Sequence, residues 1–356
     1  MDIDPYTGKN KGIYNLNFIA REKNPNLRTV VSFGGWSGSV HFSNVAKSSS
    51  ARANFVSKAI AFVNKFHFDG IDIDWEYPGG GGLPCNTVDP NDAINFETLL
   101  GDLRSALGPN RILSIASAGA SFRYNVGSKN YVSSYMKHLS YLQIMSYDFY
   151  GSWVPYTDFN APLNEDPSQP KANLQNNQVF SIANAFKDFV GQGVSPSQLV
   201  VGLAFYGRSW IASAKGSNNG LYQLCGNLAN GQKQDPSNPK ACPAPPGDQL
   251  DADWTDPCGA TYKSGVWMYL NLRKQGVLSG PTTAGSGYTR QYHDFAQSPS
   301  LYETSTGRFI SYDDPQSLQA KAAWAKAQGA GGVMFWELSE DYQRELLNAV
   351  QAGWGH

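Results

Sequence analysis

Phe68-Asp69-Gly70-Ile71-Asp72-Ile73-Asp74-Trp75-Glu76-Tyr77-Pro78 is the stretch on which the reading of this chain turns. Alternation along a strand sends Asp72, Asp74 and Glu76 to one face and Ile71, Ile73 and Trp75 to the other, into a layer of helices. Three carboxylates in file repel one another, so the row is expected to hold at least one proton near neutral pH. Glu76 stands nearest the C-terminal end of the strand, where parallel barrels place their chemistry, and is the natural general acid with a raised pKa. A Mg²⁺ or Ca²⁺ site is the competing use of such a row. The mainly apolar strand and the lack of a neighbouring His argue against it, and too few cations lie nearby in sequence for simple salt bridges.

Outward from this stretch, five further apolar runs read as strands: 29–35, 111–119, 141–149, 199–207 and 331–338. Between them lie apolar residues at helical spacing, such as Phe55, Ala59, Phe62, Val63 and Phe66, then Phe96, Leu99, Leu100, Leu103 and Leu107, then Val179, Ile182, Ala183, Phe186 and Val190. Apolar strands alternating with amphipathic helices specify a parallel α/β sheet covered by helices. The rhythm breaks between about Ile211 and Gly307. That stretch reads as an inserted lobe, with Trp254, Trp267, Tyr269 and Leu270 as its small core. The expected division is therefore a (β/α) barrel domain formed by 1–210 and 308–356, and an α+β insertion at 211–307.

Composition narrows the function. The 356 residues carry 28 Lys plus Arg against 29 Asp plus Glu, a net charge of −1, which argues against a nucleic-acid partner. Charged residues are only 16%, below the roughly 25% of an average soluble domain, while aromatics reach 13%, a balance suited to handling sugars. No run approaches the roughly 20 apolar residues of a membrane span, and the opening MDIDPYTGKNKG shows no signal peptide. No CxxC or HExxH occurs, so neither a metal nor another cofactor is expected. Cys225, Cys242 and Cys258 fall in the Pro/Gly/Asn-rich stretch, and with Cys85 they read as disulfide cysteines of an oxidising compartment, their pairing open.

The strand ends carry a common chemistry. Ser32 and Trp36, then Met145, Tyr147 and Asp148, then Tyr206 and Arg208, then Trp336 all fall at or just past C-terminal strand ends. One aromatic alone is best read as core. The set is best read as a shared face on which flat rings meet sugar faces.

These motifs together resemble the chitinases of glycoside hydrolase family 18. The pattern of Asp69, Asp72, Asp74 and Glu76 is similar to the family signature, Ser32 to Trp36 to its preceding strand, and residues 145–148, 206–208 and Trp336 to its later strands, in order over residues 29–341. The resemblance implies a TIM-type (β/α)8 barrel and an extracellular enzyme of fungal or bacterial type that hydrolyses chitin as a monomer. In it Glu76 protonates the glycosidic oxygen, and the substrate's own acetamido carbonyl attacks in place of an enzyme nucleophile. Asp74 orients the acetamido group, Asp72 shares a proton with Asp74 with support from Ser32, and Tyr147 holds the acetamido carbonyl oxygen. Trp336 floors the site, Trp36, Tyr77, Met145, Asp148, Tyr206 and Arg208 line subsites, and Asp69 is structural. The alternatives are a chitinase-like lectin, which typically loses the acid, and an endo-β-N-acetylglucosaminidase acting on N-glycans.

A closed barrel of this type has eight strands, and the sequence offers six. The run 29–35 resembles the family's third strand, with Ile13 to Glu22 as the helix before it. The expectation is that two strands, which bring aromatic residues to the family's site, and a secretion signal precede Met1 in the natural protein. On that reading the edges at 29–35 and 331–338 lie open, and the chain is unstable and hydrolyses chitin poorly.

Overall fold

The structure is a computed structural model that describes residues 12–174, 178–212, 218–224 and 245–355, side chains of residues 14–16 excepted. Cys225 and Cys242 lie outside the described residues. The chain forms two compact units, Met1–Gln143 with Gln192–Val194, and Ile144–Gly191 with Ser195–His356.

In the first unit, helix α1 (Ile13–Lys23) precedes strand β1 (Val30–Gly34), close to the helix over Ile13 to Glu22 that the family resemblance implies. Helices α2 (Phe42–Lys47) and α3 (Ser49–Phe66) follow. Ser48 caps α3 by accepting from the Ala51 N–H, and His67 ends it in the left-handed region at φ 57°. Strand β2 (Gly70–Asp74) pairs parallel to β1, with Ser32 opposite Asp72 and Gly34 opposite Asp74. Helix α4 (Asp92–Leu107) buries Phe96, Leu99, Leu100, Leu103 and Leu107, the face its spacing marked, and stops at Gly108. Strand β3 (Ile112–Ser117) continues the parallel ladder with Ser114 opposite Asp72, and β4 (Tyr141–Ile144) lies next to β3.

The outward side of β2 is apolar as the alternation requires. Trp75 is buried, stacked on Phe42 of α2 at 5.5 Å and edge-on to Phe96 of α4 at 5.2 Å. At β1 the packing is thinner. No residue of β1 is fully buried, and β2 is its one neighbour among the described strands. Phe33, Val45, Phe55, Ala59 and Phe62 line an open apolar cavity of about 350 Å³ beside it. Phe55 and Phe62, which the spacing counted as core, are consequently only half-buried.

In the second unit, α5 (Ile182–Gly191) buries Ile182, Ala183, Phe186 and Phe189. Val190 is half-buried, because Phe189 takes the inward position. Strand β5 (Leu199–Ala204) is followed at once by β6 (Tyr206–Ile211), so the apolar run 199–207 covers two strands rather than one. Strand β6 joins β7 (Val266–Met268), β8 (Tyr288–His293), β9 (Ser298–Glu303) and β10 (Arg308–Ser311) in an antiparallel sheet ordered β7-β6-β10-β9-β8. Helix α6 (Pro315–Ala327) opens with an Asp314–Ser317 capping box and Pro315 in its first turn. Strand β11 (Gly332–Trp336) pairs parallel to β5, and α7 (Glu345–Trp354) ends the described chain.

Trp267 and Tyr269 enter a core with Leu272, Leu301, Ile310 and Tyr312, as expected, but Trp254 does not. It stands 39% exposed on a short hairpin, edge-on to Tyr262, and Leu270 is only half-buried. This core mixes the strands β7, β9 and β10 with the short helix Tyr269–Lys274, which a composition argument over a Gly/Asn/Pro-rich segment cannot see.

Candidate active site

The carboxylate row in the first unit is built by sheet register. Asp72 is the central residue of three strands, flanked by two serines at the same level. Ser32 donates to its Oδ2 at 2.7 Å, and Ser114 donates to its Oδ1 at 2.7 Å. Gln143 adds a third donor to Oδ1 at 3.0 Å. Burial pushes the Asp72 pKa up, while the three donors pull it back toward the ionised form. Asp74 lacks such help. Its Oδ1 is buried with no hydrogen-bond partner among the described residues. Burial first, then the charge of Glu76, then that of Asp72, push Asp74 up to about 8. Both aspartates are thus held above the ordinary carboxylate range, and no described hydrogen bond joins them.

Glu76 lies two residues beyond the end of β2, half-buried. Tyr77 is next, with the Arg123 guanidinium 5.3 Å from its ring centre. Trp36, just past the end of β1, is 40% exposed. Asp69 is separate from this group. It pairs with Arg21 of α1 at 2.8 Å and accepts from the Thr29 N–H at 2.8 Å, so it ties the entry of β1 to the start of β2.

In the second unit the remaining candidates form a cluster of their own. Tyr147 and Tyr206 are buried with their rings 6.1 Å apart, packed with Met145 and Met334. The Tyr147 hydroxyl faces the Met334 sulfur at 3.8 Å. Arg208 clamps Asp148 with two parallel bonds, Nε to Oδ1 at 2.7 Å and Nη2 to Oδ2 at 2.8 Å. Asp148 holds a left-handed backbone at φ 55°, secured by Asn160, whose Oδ1 accepts from the Asp148 N–H at 3.0 Å. Trp336 at the end of β11 is 57% exposed.

Among the described residues no group of three or more His, Cys, Asp or Glu is arranged to hold a metal ion, and no helix is long and apolar enough to cross a membrane. Cys85 and Cys258 are each disulfide-bonded.

A buried pair of aspartates in the middle of the parallel strands thus leads to a half-buried glutamate just past the strand end. The family model described as Glycosyl hydrolases family 18 matches residues 3–341. The chain belongs to this family.

The family 18 chain is 35% identical over 340 residues to Chitinase A1 of Niallia circulans, an alignment covering 93% of this chain and 43% of that protein. It thus spans under half the length of that relative. The crystal structure of a chitinase from Rhizomucor miehei superposes with a TM-score of 0.83 at 29% identity, covering 97% of this chain and 89% of that one. Group IV chitinase of Ostrinia furnacalis, in complex with allosamidin, gives 0.77 at 26% identity, covering 98% and 85%. The fold class is α/β of the TIM-barrel type, with six parallel strands among the described residues.

Sequence reasoning passed over three residues of these clusters. Ser114 could have been found by laying the run 111–119 in register beside Asp72. Gln143 could have been found as the one polar residue of its short strand with a long amide. Trp153 lies five residues past Asp148, is 42% exposed, and carries the Arg208 guanidinium at 5.2 Å from its ring. It was hidden because the strand-end rule stops at the strand.

Proposed function

We propose that this chain hydrolyses β-1,4 bonds between N-acetylglucosamine units of chitin, with retention and with the substrate's own acetamido group as nucleophile. The observation that carries the reading is the row itself: Asp72 fixed by Ser32 and Ser114, Asp74 raised to about 8, and Glu76 directly beyond.

Glu76 donates its proton to the glycosidic oxygen as the C1–O bond breaks, while the acetamido carbonyl oxygen bonds to C1 and closes an oxazolinium ring. The ring nitrogen gains positive charge beside Asp74. Asp74, which shares a proton with Asp72, orients the acetamido group and stabilises that charge. Water, giving its proton to Glu76, then attacks C1, opens the ring and restores the acid with configuration retained. Tyr147 holds the acetamido carbonyl oxygen in its attacking position. Trp336 lies under the sugar, and Trp36, Tyr77, Met145, Asp148, Tyr206 and Arg208 line neighbouring subsites. These roles are supported by the family match and by the motif positions.

Residues 1–210 with 308–356 serve as the catalytic domain and 211–307 as the inserted lobe. Action outside the cell fits the disulfide-bonded Cys85 and Cys258. The test offers chitooligosaccharides and a high-mannose glycoprotein side by side. Cleavage of the first alone supports the reading. Release of the N-glycan instead makes the chain an endo-β-N-acetylglucosaminidase, and binding of sugar without cleavage makes it a lectin.

A further inference from the structure

The β2 ladder stops at Asp74, so strand pairing does not fix the backbone of Glu76 two residues on. Two side chains grip it instead. The Glu76 N–H donates to Ser39 Oγ at 2.8 Å, and the Glu76 carbonyl oxygen accepts from Asn86 Nδ2 at 2.8 Å.

Each of these partners is itself held. Ser39 is fully buried, and its hydroxyl faces the carbonyls of Gly35 at 2.9 Å and Asp74 at 3.3 Å, so it links the end of β1, the end of β2 and Glu76. Asn86 closes the glycine loop 79–82 that follows Tyr77 and Pro78. Its Oδ1 is buried without a partner among the described residues, so the amide is committed to the Glu76 carbonyl through its donor end. The loop packs so tightly here that a Cβ on Gly82 would lie 2.0 Å from the Glu76 oxygen. Asp92 Oδ2 accepts from the Gly79 N–H at 3.2 Å, and Arg123 Nη1 donates to the Gly80 oxygen at 2.9 Å, which pins the loop at its start.

We propose that Ser39 and Asn86 are positioning residues for the general acid: together they lock the Glu76 peptide, so that its carboxyl meets the glycosidic oxygen at one angle. They act on proton donation and not on sugar binding. This rests on the reading of Glu76 as the acid.

Leaving-group dependence tests it. An aryl chitobioside with an activated dinitrophenyl leaving group needs little protonation, whereas a chitooligosaccharide needs it fully. In Asn86→Asp, which swaps the donor for a carboxylate facing the Glu76 oxygen, and in Ser39→Ala, kcat on chitooligosaccharides should fall on the order of 10²-fold with KM little changed. The rate on the dinitrophenyl substrate should fall far less. Thr87→Ala is the control, since the Thr87 hydroxyl, next to Asn86 in the chain, donates to the Val40 carbonyl, and it should show no such selectivity. Equal losses on both substrates, or no loss on either, overturn the proposal. Should Asn86→Asp fail to fold, Ser39→Ala carries the same test. Glu76→Gln run alongside separates the two readings. Wild-type turnover of the chitooligosaccharide in that variant removes the acid assignment itself. A dead Glu76→Gln beside unaffected Ser39 and Asn86 variants removes only the positioning role.

Discussion

Ser114 stands directly opposite Asp72 in the parallel register and donates its hydroxyl to Asp72 Oδ1 at 2.7 Å from a fully buried position. One rung of the sheet thereby places a donor against a buried carboxylate. Ser114→Ala removes that donor and leaves Oδ1 to Gln143 alone among its described partners. Stability should fall by about 1–3 kcal/mol, read from denaturant midpoints at neutral pH. An unchanged midpoint would show that the bond contributes nothing net.

The titration of Asp74 follows from its neighbours. Burial is the larger cause of its rise to about 8, and the Glu76 charge is the next. Glu76→Gln removes that charge, so the Asp74 carboxyl should titrate at a lower pH than in the wild type, as followed by carboxyl NMR. A titration that stays put, or moves upward, would show that the row is not electrostatically coupled.

Away from the row, Asp158 makes a stability prediction. Burial pushes its carboxyl from 3.8 to about 7, although Gln169 and Asn173 donate to its Oδ2 at 2.6 and 2.7 Å. A raised folded pKa favours the protonated form. Its contribution is fully present below about 4 and is lost as pH rises through about 7. Asp158→Asn, which cannot titrate, should flatten the decline of stability between those limits by up to a few kcal/mol. Parallel pH–stability curves for the two proteins would refute the assignment.

The thin packing at β1 predicts association. β1 has β2 as its one partner among the described strands, the cavity lined by Phe33, Phe55 and Phe62 lies beside it, and Phe18 and Ile19 of α1 are exposed. Light scattering should show mass growing with concentration at neutral pH, and Phe18→Lys with Ile19→Lys should reduce it. A stable monomer across concentrations would contradict this.

What was legible in the sequence was whatever depends on alternation. Asp72, Asp74 and Glu76 share a face because period two leaves no choice, and Trp75 goes to the helices for the same reason. The apolar runs found the six parallel strands among the described residues. What stayed hidden depends on partners brought from elsewhere. Ser114 matters only once β3 is set beside β2 in one register. The break at Phe205 that turns one apolar run into two strands of different sheets leaves no polar mark. The grip of Ser39 and Asn86 on Glu76 involves side chains of common type 37 and 10 residues away, which no spacing rule selects.

The central claim is that Glu76 supplies the proton. The most direct measurement compares wild type and Glu76→Gln for turnover of a chitooligosaccharide and, by calorimetry, for its binding. The account predicts turnover lost by several orders of magnitude with binding kept within a few-fold, because the amide keeps the shape of the acid without its proton. Turnover near the wild-type rate in Glu76→Gln would contradict it.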